Sequence, residues 1–272
     1  MMNATMLYKH LKKWTCQPKD HRSGWFNCIT FGDNKAFATN THRLVVVKNY
    51  PTAIPHMENS KGEYVAADGE TLVSPSGIKT EDQKFIVEDL VPKALKVIPS
   101  EEECQWSETI SSTWFPQMKN AFDFIRKMSK KDRFPGTAML NFHDKQLFAI
   151  SANEGYGAKF LLANNLNDGK PWYCYWNAGY LMDALDLVID TQASAMKFSV
   201  YLTRAEPVTL PMQDKSESEL WTGVWKIETD ELLMVATSVR MHENASDSGM
   251  PEFITFTKSE SIRPTNEAYI EQ

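Results

Sequence analysis

Apolar residues spaced three and four apart mark three helices along the chain. Leu7, Leu11 and Trp14 form one stripe over residues 6–15, with Lys9, Lys12 and Lys13 off it and Pro18 closing the element. Phe115, Met118, Phe122, Ile125 and Met128 form a second over 115–131, with Lys119, Arg126, Lys127 and Lys130 largely outside it. Leu181, Ala184, Leu185 and Val188 form a third over 177–189, where Asn177 is a suitable N-cap.

The β-favouring segments are short. Ala36-Phe37-Ala38 runs into the polar Thr39-Asn40-Thr41-His42 and then into Arg43-Leu44-Val45-Val46-Val47. That pattern reads as strand, tight turn, strand, because Val suits a pleated surface and Asn and Thr can close a turn through their side chains. A strand over 25–31 is joined to one over 35–39 by Gly32-Asp33-Asn34. Residues 137–142 and 146–152 form a second pair turning at His143-Asp144-Lys145, with further strands expected over 158–163, 196–203, 208–210, 220–227 and 232–239. Residues 51–114 are broken by Pro51, Pro55, Pro75, Pro92 and Pro99; only short strands over 63–67, 71–74 and 84–87 are predicted there. A domain boundary is placed at 99–104, and the polar segment after Met241 reads as a loosely attached tail. Helix followed by strands recurs after Met6, Phe115 and Asn177 without a sequence repeat.

Charge changes the picture. The net charge is -6, yet residues 1–214 balance, with 24 bases and 24 acids, while 215–272 hold 5 bases and 11 acids. Bases gather in two places: residues 6–22 carry five against one acid, and 116–133 carry six against two. One such helix is ordinarily the wet side of a surface element. Two of them, each opening a helix-and-strand unit in an otherwise neutral or acidic chain, point to a shared anionic surface. Point charges without base-reading motifs suit phosphate contacts, which give salt-dependent affinity without sequence choice. Segment 51–114, with 5 bases and 12 acids, should avoid phosphates.

Other chemistries find little support. The motifs G-x-S-x-G, G-x-x-x-x-G-K-[ST] and H-E-x-x-H do not occur. Glu101-Glu102-Glu103 reads as a solvated charge run. Cys16, Cys28, Cys104 and Cys174 are scattered without C-x-x-C spacing, so free thiols, no metal site and no cofactor are expected. No run of about 18 apolar residues exists and no signal segment is visible, which gives a cytoplasmic expectation. His42 beside Arg43 leaves open a general base with an anion clamp, a β-rich hydrolase reading.

Ala38-Thr39-Asn40-Thr41-His42-Arg43-Leu44-Val45, preceded by a helix and strand, resembles the A-T-D-G-H-R-L-A signature of the bacterial sliding clamps, the β subunits of DNA polymerase III. Asn177-Ala178-Gly179-Tyr180-Leu181-Met182-Asp183-Ala184-Leu185 is similar to that family's N-x-x-Y-L-L-D-A-L helix, and Pro207-Val208-Thr209-Leu210 to its K-P-F-T-L strand. Thr237-Ser238-Val239-Arg240-Met241 falls where the family closes with M-P-M-R-L.

The resemblance implies an α+β DNA-clamp fold with helices packed on antiparallel sheets. It divides the chain into a clamp-like domain over 1–102 with a reduced second half, a second over 103–241, and a tail over 242–272. It implies a non-enzymatic processivity factor that binds duplex DNA and docks peptides of a DNA polymerase and clamp loader. Lys9, Lys12, Lys13, Lys19, Arg22, Lys119, Arg126, Lys127, Lys130 and Lys131 would then face the duplex. Thr39, Thr41, His42, Leu44, Pro99, Val239 and Met241 would line the peptide pocket. With two domains per chain, a six-domain ring needs a homotrimer. A clamp-derived protein that binds a replication partner without encircling DNA is the alternative.

The chain departs from the pattern in four respects. The family's first domain is missing, 51–98 lack an expected helix, Asn40-Thr41 replace Asp-Gly, and about thirty residues follow the usual end. Within that tail, Phe253-Ile254-Thr255-Phe256 would suit a short β-addition.

Overall fold

The computed structural model describes residues 4–16, 24–50, 54–78, 95–128, 136–153, 156–170, 172–205 and 220–238. In chain order these form α1 (Ala4–Leu11), β1 (Ile29–Gly32), β2 (Lys35–Thr39), β3 (Arg43–Val47), β4 (His56–Glu58), β5 (Tyr64–Val65), β6 (Trp106–Ser111), α2 (Phe115–Met128), β7 (Thr137–His143), β8 (Gln146–Asn153), β9 (Tyr156–Ala163), β10 (Trp172–Asn177), α3 (Ala178–Asp190), β11 (Ala195–Ala205), β12 (Leu220–Glu228) and β13 (Leu232–Thr237). The chain divides into two compact units. One holds 1–101, 186–197 and 226–236; the other holds 102–185, 198–225 and 237–272.

In the first unit the strand order is β5-β4-β1-β2-β3-β13, continued by residues 226–228 of β12. The β1–β2 hairpin closes on Asp33 and Asn34, both left-handed at φ 51° and 53°, with Gly32 opposite Lys35. Two successive positive φ values match the right-handed strand twist, and Asp and Asn tolerate them. All five residues of β3 are buried, since the strand is central, between β2 and β13. This explains its unbroken apolar run. On α1 the expected stripe is in place, with Leu7, Leu11 and Trp14 each 0% exposed, although the helix ends at Leu11 and Trp14 follows in a turn.

Three expectations change here. The strand expected over 25–31 is split: Gly24–Asn27 form a 3-10 turn and only Ile29–Gly32 extend. The turn opens on Gly24, where a Cβ would sit 2.5 Å from the Asp68 carbonyl oxygen. The strand over 63–67 contracts to Tyr64–Val65, and 71–74 supplies one bridge, Leu72 to Val65. In addition, β4 pairs with β1 although its three residues are too short for any alternation. Residues 84–87 lie outside the described residues.

In the second unit β10-β7-β8-β9 form a four-stranded antiparallel sheet. Asp144 and Lys145, at φ 49° and 60°, make the β7–β8 turn. Against the core, α2 buries Phe115, Met118, Ala121, Phe122 and Ile125. Its apolar stripe stops at Ile125, for Met128 is 49% exposed, contrary to expectation. Asn177 caps α3 as predicted, its Oδ1 accepting the N–H groups of Gly179 at 2.8 Å and Tyr180 at 3.3 Å.

Two strands of this unit have no counterpart among the predicted ones. Along β6, Trp106, Glu108 and Ile110 are buried and the residues between them exposed, but an acid at an inward position hides the alternation. Glu108 is accommodated because Asn167 donates to it through its backbone N–H, at 3.4 Å, and through its side-chain amide. In β10 the residues between buried Trp172, Cys174 and Trp176 are Tyr173 and Tyr175, so no polar face marks the strand. Trp106 gathers Phe142, Trp172 and Phe198 at 5.2, 5.3 and 5.9 Å between ring centroids. Each such buried ring contributes about 2 kcal/mol relative to exposure.

Candidate functional site

The signature hairpin is built by side chains that stand in for backbone. Thr39 Oγ1 donates to the Arg43 carbonyl at 2.7 Å and accepts the Thr41 N–H at 3.2 Å. Asn40 Oδ1 accepts the N–H groups of His42 and Arg43, both at 3.1 Å. Thr41 takes the left-handed conformation at φ 74°. Asn40 thus closes the turn with its side-chain oxygen, as an Asp carboxylate could, and Thr41 adopts a φ that favours glycine.

Of the expected pocket residues, Thr41 and His42 are exposed at the tip, Thr39 is half-buried, and Leu44 is only 1% exposed, opposite Val235 of β13. Pro99 is half-buried. Val239 and Met241 lie outside the described residues.

Arg43 does not face solvent beside His42. Its guanidinium lies over the Trp14 ring, 4.9 Å from the centroid, and Nη2 donates to the Lys13 carbonyl. It is 7% exposed. The arginine thus ties the hairpin to the turn that follows α1, and an anion clamp at His42 is not what it forms.

The basic helices carry aspartate partners. Lys9 pairs with Asp190 at 3.1 Å, and the buried His10 meets the same carboxylate at 2.7 Å. Lys13 lies 3.7 Å from Asp186. Burial would raise the Asp190 pKa, but hydrogen bonds from His10 and Lys9 outweigh it and hold the carboxyl below its usual value. On α2, Asp123 takes Arg126 at 3.0 Å and Lys127 at 2.5 Å, and the Lys127 contact chiefly lowers its pKa. Lys12 and Lys119 are exposed. Lys19, Arg22, Lys130 and Lys131 lie outside the described residues. Sequence reasoning missed the pairing, although its signal was present in an α3 edge of Asp183, Asp186 and Asp190 with no base beside it.

A second polar cluster lies in the first unit. His56 is stacked between Phe31 and Tyr64, at 4.7 and 4.6 Å. Its Nδ1 contacts the Ile54 carbonyl at 2.7 Å and so carries the proton; its Nε2 contacts Glu58 at 2.8 Å. Burial raises the Glu58 pKa to about 7 and lowers that of His56. Below about pH 7 the protonated Glu58 hydroxyl donates to Nε2 of an imidazole that burial keeps neutral.

Among the described residues no three His, Cys, Asp or Glu side chains are placed to hold a metal, and no helix is long and apolar enough to cross a membrane. All four cysteines are free thiols.

No protein-family model matches the chain, and no curated protein does. Solved structures do. A DNA polymerase sliding clamp from Pseudomonas aeruginosa, solved with ligand, is similar at a TM-score of 0.53 and 13% identity, over 87% of this chain and 63% of that one. The DnaN sliding clamp of Bartonella birtlesii bound to griselimycin matches at 0.52 and 18%, over 88% and 65%. The C. crescentus beta sliding clamp matches at 0.54 and 12%, over 88% and 65%. The chain spans less than two thirds of the length of these clamps. At such identities the likeness is one of architecture, and it is specific: this chain has the α+β fold of the bacterial sliding clamps.

Proposed function

We propose that this chain is a clamp-like processivity factor that holds duplex DNA without sequence preference and docks short peptides of replication proteins. The clamp fold is the observation that carries the reading. The chain would comprise two clamp-type domains, 1–102 and 103–241, with an added tail over 242–272, and three copies would close a ring. Encirclement would supply persistence, and weak phosphate contacts from the two basic helices would permit sliding. Thr39, Thr41 and His42 would meet the peptide, with Leu44, Pro99, Val239 and Met241 completing the pocket. No step of this role requires catalysis or a cofactor.

The alternative, a clamp-derived protein that binds a replication partner without encircling DNA, draws support from one observation. Of the six described bases assigned to duplex contacts, Lys9, Lys13, Arg126 and Lys127 are paired with aspartate.

Retention on circular but not linearised DNA, with a loader supplied, tests the ring, and light scattering tests the trimer. A monomer at high concentration together with equal loss from both DNA forms would overturn it in favour of the alternative. Charge reversal at Lys119 and Lys127 should abolish DNA association; unaltered binding would remove the duplex contacts. His42→Glu, on the exposed tip, should weaken polymerase-peptide binding without unfolding the buried strand behind it.

A further inference from the structure

We propose that the aspartates beside the basic helices are built-in competitors for the DNA backbone: at Lys9, Lys13, Arg126 and Lys127 a phosphate binds by displacing an internal carboxylate. This rests on the duplex-DNA reading above and adds the residues that set its strength.

The two helices reach the same arrangement by different routes. On α1, the partners come from the end of α3, with Asp190 taking Lys9 and His10 and Asp186 facing Lys13. On α2, the partner is internal, with Asp123 one turn before Arg126 and Lys127. In each lysine–aspartate pair the lysine is the more exposed member. Lys9 and Lys127 are 62% and 64% exposed, against 31% for Asp190 and 30% for Asp123. Lys13 is 35% exposed against 18% for Asp186. The carboxylates are therefore anchored while the ammonium groups reach water on flexible stems and can swing away.

Exposed ion pairs of this kind are weak and screened by salt, so exchange is easy in either direction. What the duplex senses is the charge left over. Asp190 and Asp186 offset Lys9 and Lys13 beside α1, and on α2 the single Asp123 faces both Arg126 and Lys127. The aspartates lower affinity and the number of phosphates effectively neutralised, which suits a protein that must move along DNA rather than grip it.

The test uses Asp186→Asn and Asp123→Asn in the full chain, measuring anisotropy of a labelled linear duplex from about 50 to 200 mM salt. Asp190 is avoided because its loss would strand the buried His10. Each variant should bind about threefold more tightly at the low-salt end, with a log–log salt slope steeper by about 0.9. The double variant should show both gains together, and Asp123→Glu should match the native chain. Thermal melting confirms that folding is retained. If the native chain binds and both Asn variants share its affinity and slope, the competition is overturned while the duplex-DNA reading stands. Binding acquired only by the Asn variants would support the competition. If no form binds, the competition falls, while the duplex-DNA reading is judged separately by retention on circular DNA.

Discussion

Arg43 lies with its guanidinium on the face of Trp14, 4.9 Å from the ring centroid, while donating to the carbonyl of Lys13. One side chain therefore joins the first residue of β3 to the turn that ends α1. The arginine is planar, permanently charged and weakly hydrated, which fits it for a half-dry stacking position that a lysine would fill poorly.

Arg43→Ala should accordingly destabilise the first unit by about 2–4 kcal/mol, from the lost stacking, the lost carbonyl hydrogen bond and the void. Arg43→Lys should recover less than half. Urea denaturation followed by far-UV circular dichroism measures both, and a midpoint unchanged in Arg43→Ala would remove the link.

The signature turn makes the opposite kind of prediction. Thr41 is a β-branched residue at φ 74°, so Thr41→Gly should stabilise the protein by about 0.5–1 kcal/mol despite the added freedom of the unfolded chain. Asn40→Asp should be nearly neutral, because the carboxylate can accept the same two N–H groups. Asn40→Ala should cost about 1 kcal/mol. Thermal melts rank the three, and a destabilised Thr41→Gly would contradict the strain.

Gly69 has a different reason to be glycine. It sits at φ 76°, and a Cβ there would lie 2.3 Å from backbone atoms of Gly24 and Trp25. Gly69→Ala should cost about 2 kcal/mol or more, since backbone, not a flexible side chain, must yield. At Gly77, where the nearest atom is the movable Ser74 hydroxyl, Ala should be close to neutral. Equal melting temperatures for the two variants would refute the packing account.

The His56–Glu58 pair predicts a pH dependence. Glu58 titrates from 4.5 unfolded to about 7 folded, so its contribution is full at low pH and is lost as pH rises through 7. The lowered His56 works in the other direction, favouring the fold only above the range where an unfolded histidine protonates, near 6.5. The two oppose below pH 6.5, and above it the glutamate alone acts. Stability should therefore drop by about 1 kcal/mol between pH 6 and 8. Glu58→Gln, whose amide donates to Nε2 at any pH, should flatten that decline in urea titrations.

The three helices, the turns at Asp33-Asn34 and Asp144-Lys145 and the strand β3 were legible because each is written in neighbours: Leu7 with Leu11, Asp33 with Asn34, Val45 with Val46. The misses have equally local causes. Glu108 occupies an inward position of β6, Tyr173 and Tyr175 remove the polar face of β10, and β4 is only three residues long. Met128 continues the α2 stripe in sequence, yet it lies beyond the last turn that reaches the core.

The chain by itself determined where the amphipathic helices lie, where the turns fall and that bases cluster on two helices, because periods of 3.6 and 2 and the preferences of turn residues act over a few positions. Tertiary structure alone decided what those residues do. It set Arg43 on Trp14, buried Leu44 against β13, and brought Asp190 to Lys9 and His10 across 181 and 180 residues of chain. Charge pairing follows distance in space, and no local pattern encodes which helix end will arrive beside which lysine.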